Sequence, residues 1–465
     1  MQAENKMGTM PINKLLLTMS LPIVISMLIQ ALYNIVDSVF IAQIGEDALA
    51  ALSLSFPIQN LMIAVSIGTG VGVNALLARN LGEKNIKNAN RAAINGVFII
   101  ILSYIAFAIF GLLFTRKYFE MQTNDLKIIE YGTTYLRICT VFSLGIFMEI
   151  MLERILQATG KTIYTMLSQG IGAITNIILD PILIFGLLGF PKLGVAGAAL
   201  ATVIGQFLSM FLALYFNIRK NKEINLNLIG FKPHFETIKN IYSVGLPAII
   251  MASLGSVMTY GINKILLVFS TTATAVFGVY FKLQSFIFMP VFGLNNGMVP
   301  ILAYNYGAQK KKRITATIRL SVYTACFIMA LGIATFQFLP RYLLQIFKAS
   351  DDMLIIGIPA LRIISINFIF AGFSIVVSSV YQAFGNGFYS LIVTFFRQII
   401  FTLPLAFIFS KTLGINAVWA SIPLAEFASL IINLFLYNSL YKNKIKNIGQ
   451  ANTNDDPILK AAEIK

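Results

Sequence analysis

The chain has 465 residues, 57% hydrophobic and only 12% charged, with a mean hydropathy of +0.79. A soluble domain carries about 25% charged residues, so this composition excludes a water-soluble globular protein and makes lipid the solvent. The formal charge of +16 is spread in short basic clusters between apolar runs, which suits anionic lipid head groups and not nucleic acid.

Residues 1–14 read as a polar leader. The first apolar run is too long for the core of a signal peptide and is followed by further runs, so no cleavable signal is expected. A helix crossing a hydrocarbon core of about 30 Å needs roughly 20 residues. Six such runs follow, at 15–41, 49–78, 92–114, 128–153, 162–189 and 194–216. A polar connector at 217–238 contains the single histidine, His234, which is expected to be solvated. Six more runs come next, at 239–268, 273–303, 317–340, 355–383, 388–410 and 415–440. Residues 441–465 form the tail, disordered by composition beyond about Gly449. The two cysteines, Cys139 and Cys326, lie inside apolar runs and form neither a disulfide framework nor a metal cluster.

Basic residues concentrate after the even-numbered runs: Arg79, Lys84, Lys87 and Arg91, then Arg219, Lys220, Lys222 and Lys232, then Lys310 to Arg313. Connectors after odd-numbered runs are poorer in base or mixed, such as Glu46 and Asp47. The positive-inside rule therefore puts both termini in the cytoplasm of a multi-pass protein in the bacterial inner (cell) membrane.

The halves 15–216 and 239–440 repeat one another at a constant offset of 225 residues, as from Leu21-Pro22 to Leu246-Pro247. Gln59, Gly68, Gly72, Asn80 and Gly82 match Gln284, Gly293, Gly297, Asn305 and Gly307. Beyond Tyr164 and Tyr389 the register slips, and Gly194 pairs with Gly414. Six spans per unit make the repeats parallel, with substrate expected at their interface, lined by aromatic and Met-rich faces. The predicted fold is all-α: twelve transmembrane helices in two six-helix lobes.

A charge near the bilayer centre costs at least about 2.5–3.5 kcal/mol, so each one needs a task. Asp37 and Asp180 have no carboxylate at the matching positions of the second half. Gln30, Tyr33, Asn34 and Asp37 follow an i, i+3, i+4, i+7 spacing and share a face. Asn176 and Asp180 share another, with Pro181 expected to kink their helix and free a carbonyl. Thr202 lies at comparable depth, about 12 Å from the outer end of its span at 1.5 Å per residue. Two carboxylates, an amide and a hydroxyl suit Na⁺ as a bound metal ion, or proton exchange. Glu149, Glu153 and Arg154 read as the inner end of span four, snorkelling or paired locally. Lys282, Arg397 and Glu426 sit deeper in the second half and need partners or water.

At these residues the chain resembles the MATE (multidrug and toxic compound extrusion) exporters, in particular their MepA-like branch. The resemblance rests on Gln157-Ala-Thr-Gly-Lys161, on Asn176-Ile-Ile-Leu-Asp180-Pro181 and on Gly194 through Thr202 to Gln206, and it runs over about residues 10–440. It implies two lobes forming a V around a central cleft and export of amphipathic, cationic drugs in exchange for H⁺ or Na⁺. It assigns cation coupling to Asp37 and a cation site to Asn176, Asp180 and Thr202. NorM-like members carry carboxylates in helices seven and ten, and this chain has none in 239–268 or 355–383. The expected partners are lipid and small drugs, the expected state is a monomer, and the coupling ion replaces any cofactor. Gln30, Tyr33, Asn34, Gln59, Lys282, Gln284 and Arg397 are candidates to line the cleft. The alternative is a lipid-linked precursor flippase, which needs a cationic cleft built from Lys282, Arg362 and Arg397. With no nucleophile–base pair and no phosphate-binding loop, neither an enzyme nor an ATP-driven pump is expected.

Overall fold

The protein, seen in a computed structural model, is described over residues 5–227, 231–347 and 349–449. The tail expected to be disordered lies almost wholly outside the described residues. Among those residues there is no strand.

A short helix α1 (Lys6–Thr9) precedes the first long helix α2 (Ile12–Ala42), and α3 (Glu46–Gly82) and α4 (Ile86–Leu113) follow. A connector helix α5 (Thr115–Glu120) leads to α6 (Leu126–Val141), α7 (Leu144–Ala158), α8 (Thr162–Phe185) and α9 (Val195–Lys220). The second half repeats the plan with α10 (Phe235–Leu267), α11 (Thr271–Gly307), α12 (Lys311–Phe338), the connector helix α13 (Pro340–Gln345), α14 (Asp351–Ser365) and α15 (Phe368–Ala383). It closes with α16 (Gly387–Phe395), α17 (Leu403–Thr412) and α18 (Ile415–Leu440), a wide π-helical stretch at Phe396–Thr402 joining α16 to α17. Among the described residues ten helices are long and apolar enough to cross a membrane, or twelve with each of the bent pairs α6–α7 and α14–α15 counted as one span.

Those bends are where the structure departs from the predicted spans. The fourth and tenth runs are broken by 44° and 47° respectively. No proline lies at either break. At the first, the Ser143 amide makes an i→i−3 bond to the Thr140 carbonyl at 3.3 Å, and its hydroxyl donates to the same carbonyl at 2.7 Å. Pro181, by contrast, sits inside a helix that runs on to Phe185. It costs the Ile177 carbonyl its usual donor without ending the helix. His234, expected in solvent, caps α10: its Nδ1 accepts from the Thr237 amide at 3.3 Å.

The lobes meet along α2, α3, α10 and α11. Matched glycines make this possible. A β-carbon at Gly72 would collide with the Ile241 carbonyl, and one at Gly297 would sit 2.5 Å from Ser20 Oγ. Gly82 and Gly307 approach the Tyr304 and Arg79 carbonyls as closely, and residues 79 and 304 are themselves repeat partners. The seam is therefore a near-two-fold glycine contact at the end of the bundle bearing the termini.

The leader crosses that seam. Met7 is fully buried. Asn5 Nδ2 donates to the Thr159 carbonyl of the first lobe (3.1 Å) and to the Glu223 carboxylate of the connector that follows it (2.7 and 2.9 Å). The Met7 carbonyl accepts from Asn305 Nδ2 (2.9 Å) and Arg313 Nη2 (3.0 Å) on the second.

Candidate functional site

Within the first lobe, α2, α3, α7, α8 and α9 enclose a chamber of about 170 Å³. Small residues make the space: Gly172 of α8 packs against Ser209 and Gly205 of α9, so these helices touch backbone to backbone. The walls are apolar, with Ile63, Ile67 and Ile146 among them, while polar groups gather at two ends.

At one end stand Asn176 and Thr202, with Asp180 and Asp37 packed behind them, outside the chamber lining. Asn176 bridges α8 and α9. With its amide oriented to satisfy both neighbours, the nitrogen donates to Asp180 Oδ2 at 3.3 Å, and the oxygen accepts from the Thr202 amide (3.2 Å) and hydroxyl (3.3 Å). Asp180 is fully buried and Asp37 is 8% exposed, with Asp37 Oδ1 buried and without a hydrogen-bond partner. The two carboxylates lie within electrostatic reach of one another, and Tyr33 lies within reach of both. A buried oxygen without a donor is costly, and two buried carboxylates repel. A bound proton or small cation relieves both penalties at once.

Of the other candidates on α2, Gln30 and Tyr33 line the chamber, whereas Asn34 is exposed at the edge of that helix face and does not. Gln59 of α3 donates to the Tyr135 hydroxyl at 3.3 Å, beside Cys139. Lys282, Gln284 and Arg397, expected in the cleft, belong to the other lobe and do not line this chamber. Lys282 is exposed, its Nζ 6.0 Å from the Phe347 ring centre, and Gln284 is half-buried. Arg397 pairs with Glu426 at 3.2 Å, beside the wide turn where the Thr402 hydroxyl bonds the Arg397 carbonyl.

The opposite end of the chamber was missed. Glu149, Glu153 and Arg154 line it, and Glu153 and Arg154 are buried at 3% and 9% exposure. They do not snorkel, because α3 and α11 pack over this part of α7. Glu153 accepts from Ser168 Oγ (3.2 Å) and Gln169 Nε2 (2.8 Å). The sequence signal was present: three charges in six residues of an apolar run, the two acids one helical turn apart. Among the described residues no three His, Cys, Asp or Glu side chains gather as a metal site.

Comparison with known proteins matches this frame. The MatE family model covers residues 22–182 and 247–408, one copy in each repeat. The multidrug export protein MepA of Staphylococcus haemolyticus is 27% identical over 429 residues, which are 92% of this chain and 93% of that protein. An FAD transporter of Shewanella oneidensis is 24% identical over 416 residues, 90% and 92% of the two chains. A solved outward-facing structure of a multidrug resistance MATE transporter superposes with a TM-score of 0.88 at 24% identity, covering 95% of this chain and 99% of that one. With both repeats matched and the two-lobed frame reproduced, the chain is a multi-pass membrane protein that belongs to the MatE family.

Proposed function

We propose that the protein is a secondary active multidrug exporter of the bacterial cell membrane, with both termini in the cytoplasm, exchanging amphipathic cationic drugs for H⁺ or Na⁺ by alternating access. The observation that carries this reading is the Asn176 bridge between Asp180 and Thr202, set near an Asp37 carboxylate oxygen that has no protein partner. Cation binding there screens the two acids and favours one arrangement of the lobe, while drug in the cleft favours the other. Each ligand shifts the equilibrium only by its differential affinity for the two states. One proton entering across about 100 mV releases roughly 2.3 kcal/mol, and a pH unit adds about 1.4. Together they sustain a gradient of several hundredfold for a neutral drug, at about 1.4 kcal/mol per tenfold. For a monovalent cationic drug the voltage term cancels and the ion gradient alone drives export. The flippase reading loses its support, since Arg397 is committed to Glu426 and Arg362 Nε to the Gln337 carbonyl.

The test is dye efflux from everted vesicles energised separately by a pH or a Na⁺ gradient. Wild type should pump under one of them, and Asp37→Asn should not. Undiminished pumping by the variant sinks the assignment.

A further inference from the structure

Arg154 is a buried charge to which cation exchange at Asp37 and Asp180 gives no task. Its Nη1 donates to Gln157 Oε1 on its own helix (3.1 Å) and to Asn296 Oδ1 on α11 of the opposite lobe (3.0 Å). The stem lies on Gly70 of α3, where an added β-carbon would sit 2.6 Å from Arg154 Cγ. Asn74 of the same helix donates to the Arg154 carbonyl at 3.3 Å.

Arg154 and Asn296 line two spaces at once, the first-lobe chamber and a cavity of about 20 Å³ on the seam. The smaller cavity is bounded by repeat partners: Val71 with Asn296, Asn74 with Val299, Arg154 with Ser379. It therefore straddles the axis relating the lobes, and the guanidinium stands between it and the acid-lined chamber. The charged groups on its own helix are Glu149 and Glu153. Those it meets from α3, α11 and α15 (Gly70, Asn74, Asn296, Ser379 and Gln382) are all uncharged. With serine at the matching position, the positive charge exists on one side only.

We propose that Arg154 is the seal of the cytoplasmic end: it bolts α7 to α11 and, as a fixed positive charge, bars the coupling cation from running through the chamber uncoupled. This rests on the cation exchange and orientation of the preceding section. A cation held by the chamber acids meets a like charge in a narrow, poorly hydrated passage before it reaches the cytoplasm, and that repulsion is strong where water is scarce. Parting of the lobes breaks the bond to Asn296 and carries the charge aside with α7. Inward release is thereby tied to the conformational step.

The test uses the full chain in liposomes, with drug-free H⁺ and Na⁺ leak read from trapped indicator dyes. Arg154→Gln keeps hydrogen-bonding capacity but removes charge, and should raise leak at least about tenfold, equivalent to about 1.4 kcal/mol of barrier. Arg154→Lys should stay within about threefold of wild type on the same scale. Asn296→Ala keeps the charge and loses the bolt, and should increase alkylation of a cysteine introduced by Ser379→Cys from the cytoplasmic side. A tight Arg154→Gln protein overturns the proposal, as does an Arg154→Lys protein that leaks as much as it. If Arg154→Gln does not fold, unchanged Ser379→Cys labelling in the Asn296→Ala background overturns it instead. Drug-driven cation exchange, recorded in the same liposomes, separates the two readings: its absence in wild type fails the exporter assignment, whereas its presence with an unchanged leak fails the seal.

Discussion

The second lobe fills its interior with aromatic side chains, whereas the first keeps a chamber, Phe288 and Phe292 standing at the repeat positions of the chamber-lining Ile63 and Ile67. Phe277, Tyr280, Phe336 and Phe368 occupy the repeat positions of Leu52, Ser55, Gly111 and Ser143. They form a continuous aromatic cluster, with Phe277 and Phe281 ring centres 4.9 Å apart and Phe336 and Phe368 5.2 Å apart, and Trp419 stacks on Phe277. Phe277, Phe336, Phe368 and Trp419 are at most 1% exposed. In the first lobe the same frame keeps its chamber and holds carboxylates with no cation beside Asp37. Where no room is left for water or an ion, a buried acid survives only against a basic group, as Glu426 does against Arg397.

The comparison breaks most visibly if the acids are neutralised. Asp37→Asn and Asp180→Asn should each collapse the steady-state gradient of a neutral drug by at least about a hundredfold, since that gradient is sustained by roughly 2.3 kcal/mol per 100 mV plus a pH unit. Replacing Arg397 and Glu426 together, by Met and Leu, should leave the gradient within about threefold of wild type. Vesicle efflux at matched expression measures both, and equal losses would erase the distinction between the lobes.

Glu426→Ala alone should destabilise the protein by about 3–5 kcal/mol by stranding Arg397, with most of that restored in the joint replacement. Thermal unfolding in detergent reads the difference. At the seam, Gly72→Ala and Gly297→Ala should each weaken closure of the lobes by about 1–3 kcal/mol through overpacking. Spin-label distances across the seam should lengthen alike in the two variants, because the contacts are repeat-related. A response in one only would show that the seam is not symmetric.

The smallest effect concerns the leader. Burial pushes the Glu223 carboxyl above its ordinary value, although Asn5, Lys161 and Lys6 favour its charged form. The docked state then binds more protons than the released one. Docking is strongest at acid pH and weakens as pH rises through the raised value. Lys6, lowered by burial and by Lys161, acts with the opposite sign in the alkaline range only. Hydrogen exchange at Met7 should therefore show more protection at about pH 5 than at about pH 8.

Much of this was legible in the sequence because hydropathy and matched glycines are local, additive signals. The constant offset identified the duplication, and the missing acids in the second half identified the asymmetric lobe. The i, i+4 spacing placed Asn176 on the face of Asp180, and Thr202 at their depth. What stayed hidden depends on neighbours distant in sequence. Arg154 read as a snorkelling charge because nothing local to α7 announces that α11 covers it. The pairing of Arg397 with Glu426 spans 29 residues and a π-helical turn. Asn34 fitted the polar face of α2 by spacing, but a helix face is wider than the chamber it lines.

The leader has one more consequence, for assembly. Asn5 binds Thr159 and Glu223, and Met7 binds Asn305, 298 residues away, and Arg313, 306 away. A ribosome adding about 5–20 residues per second needs some tens of seconds to cross that separation. Until α12 begins to emerge, the first residues of the chain have no complete place to rest. A docked Met7 is thus a receipt for two inserted halves, and a truncated product ending before α11 would leave that methionine in water.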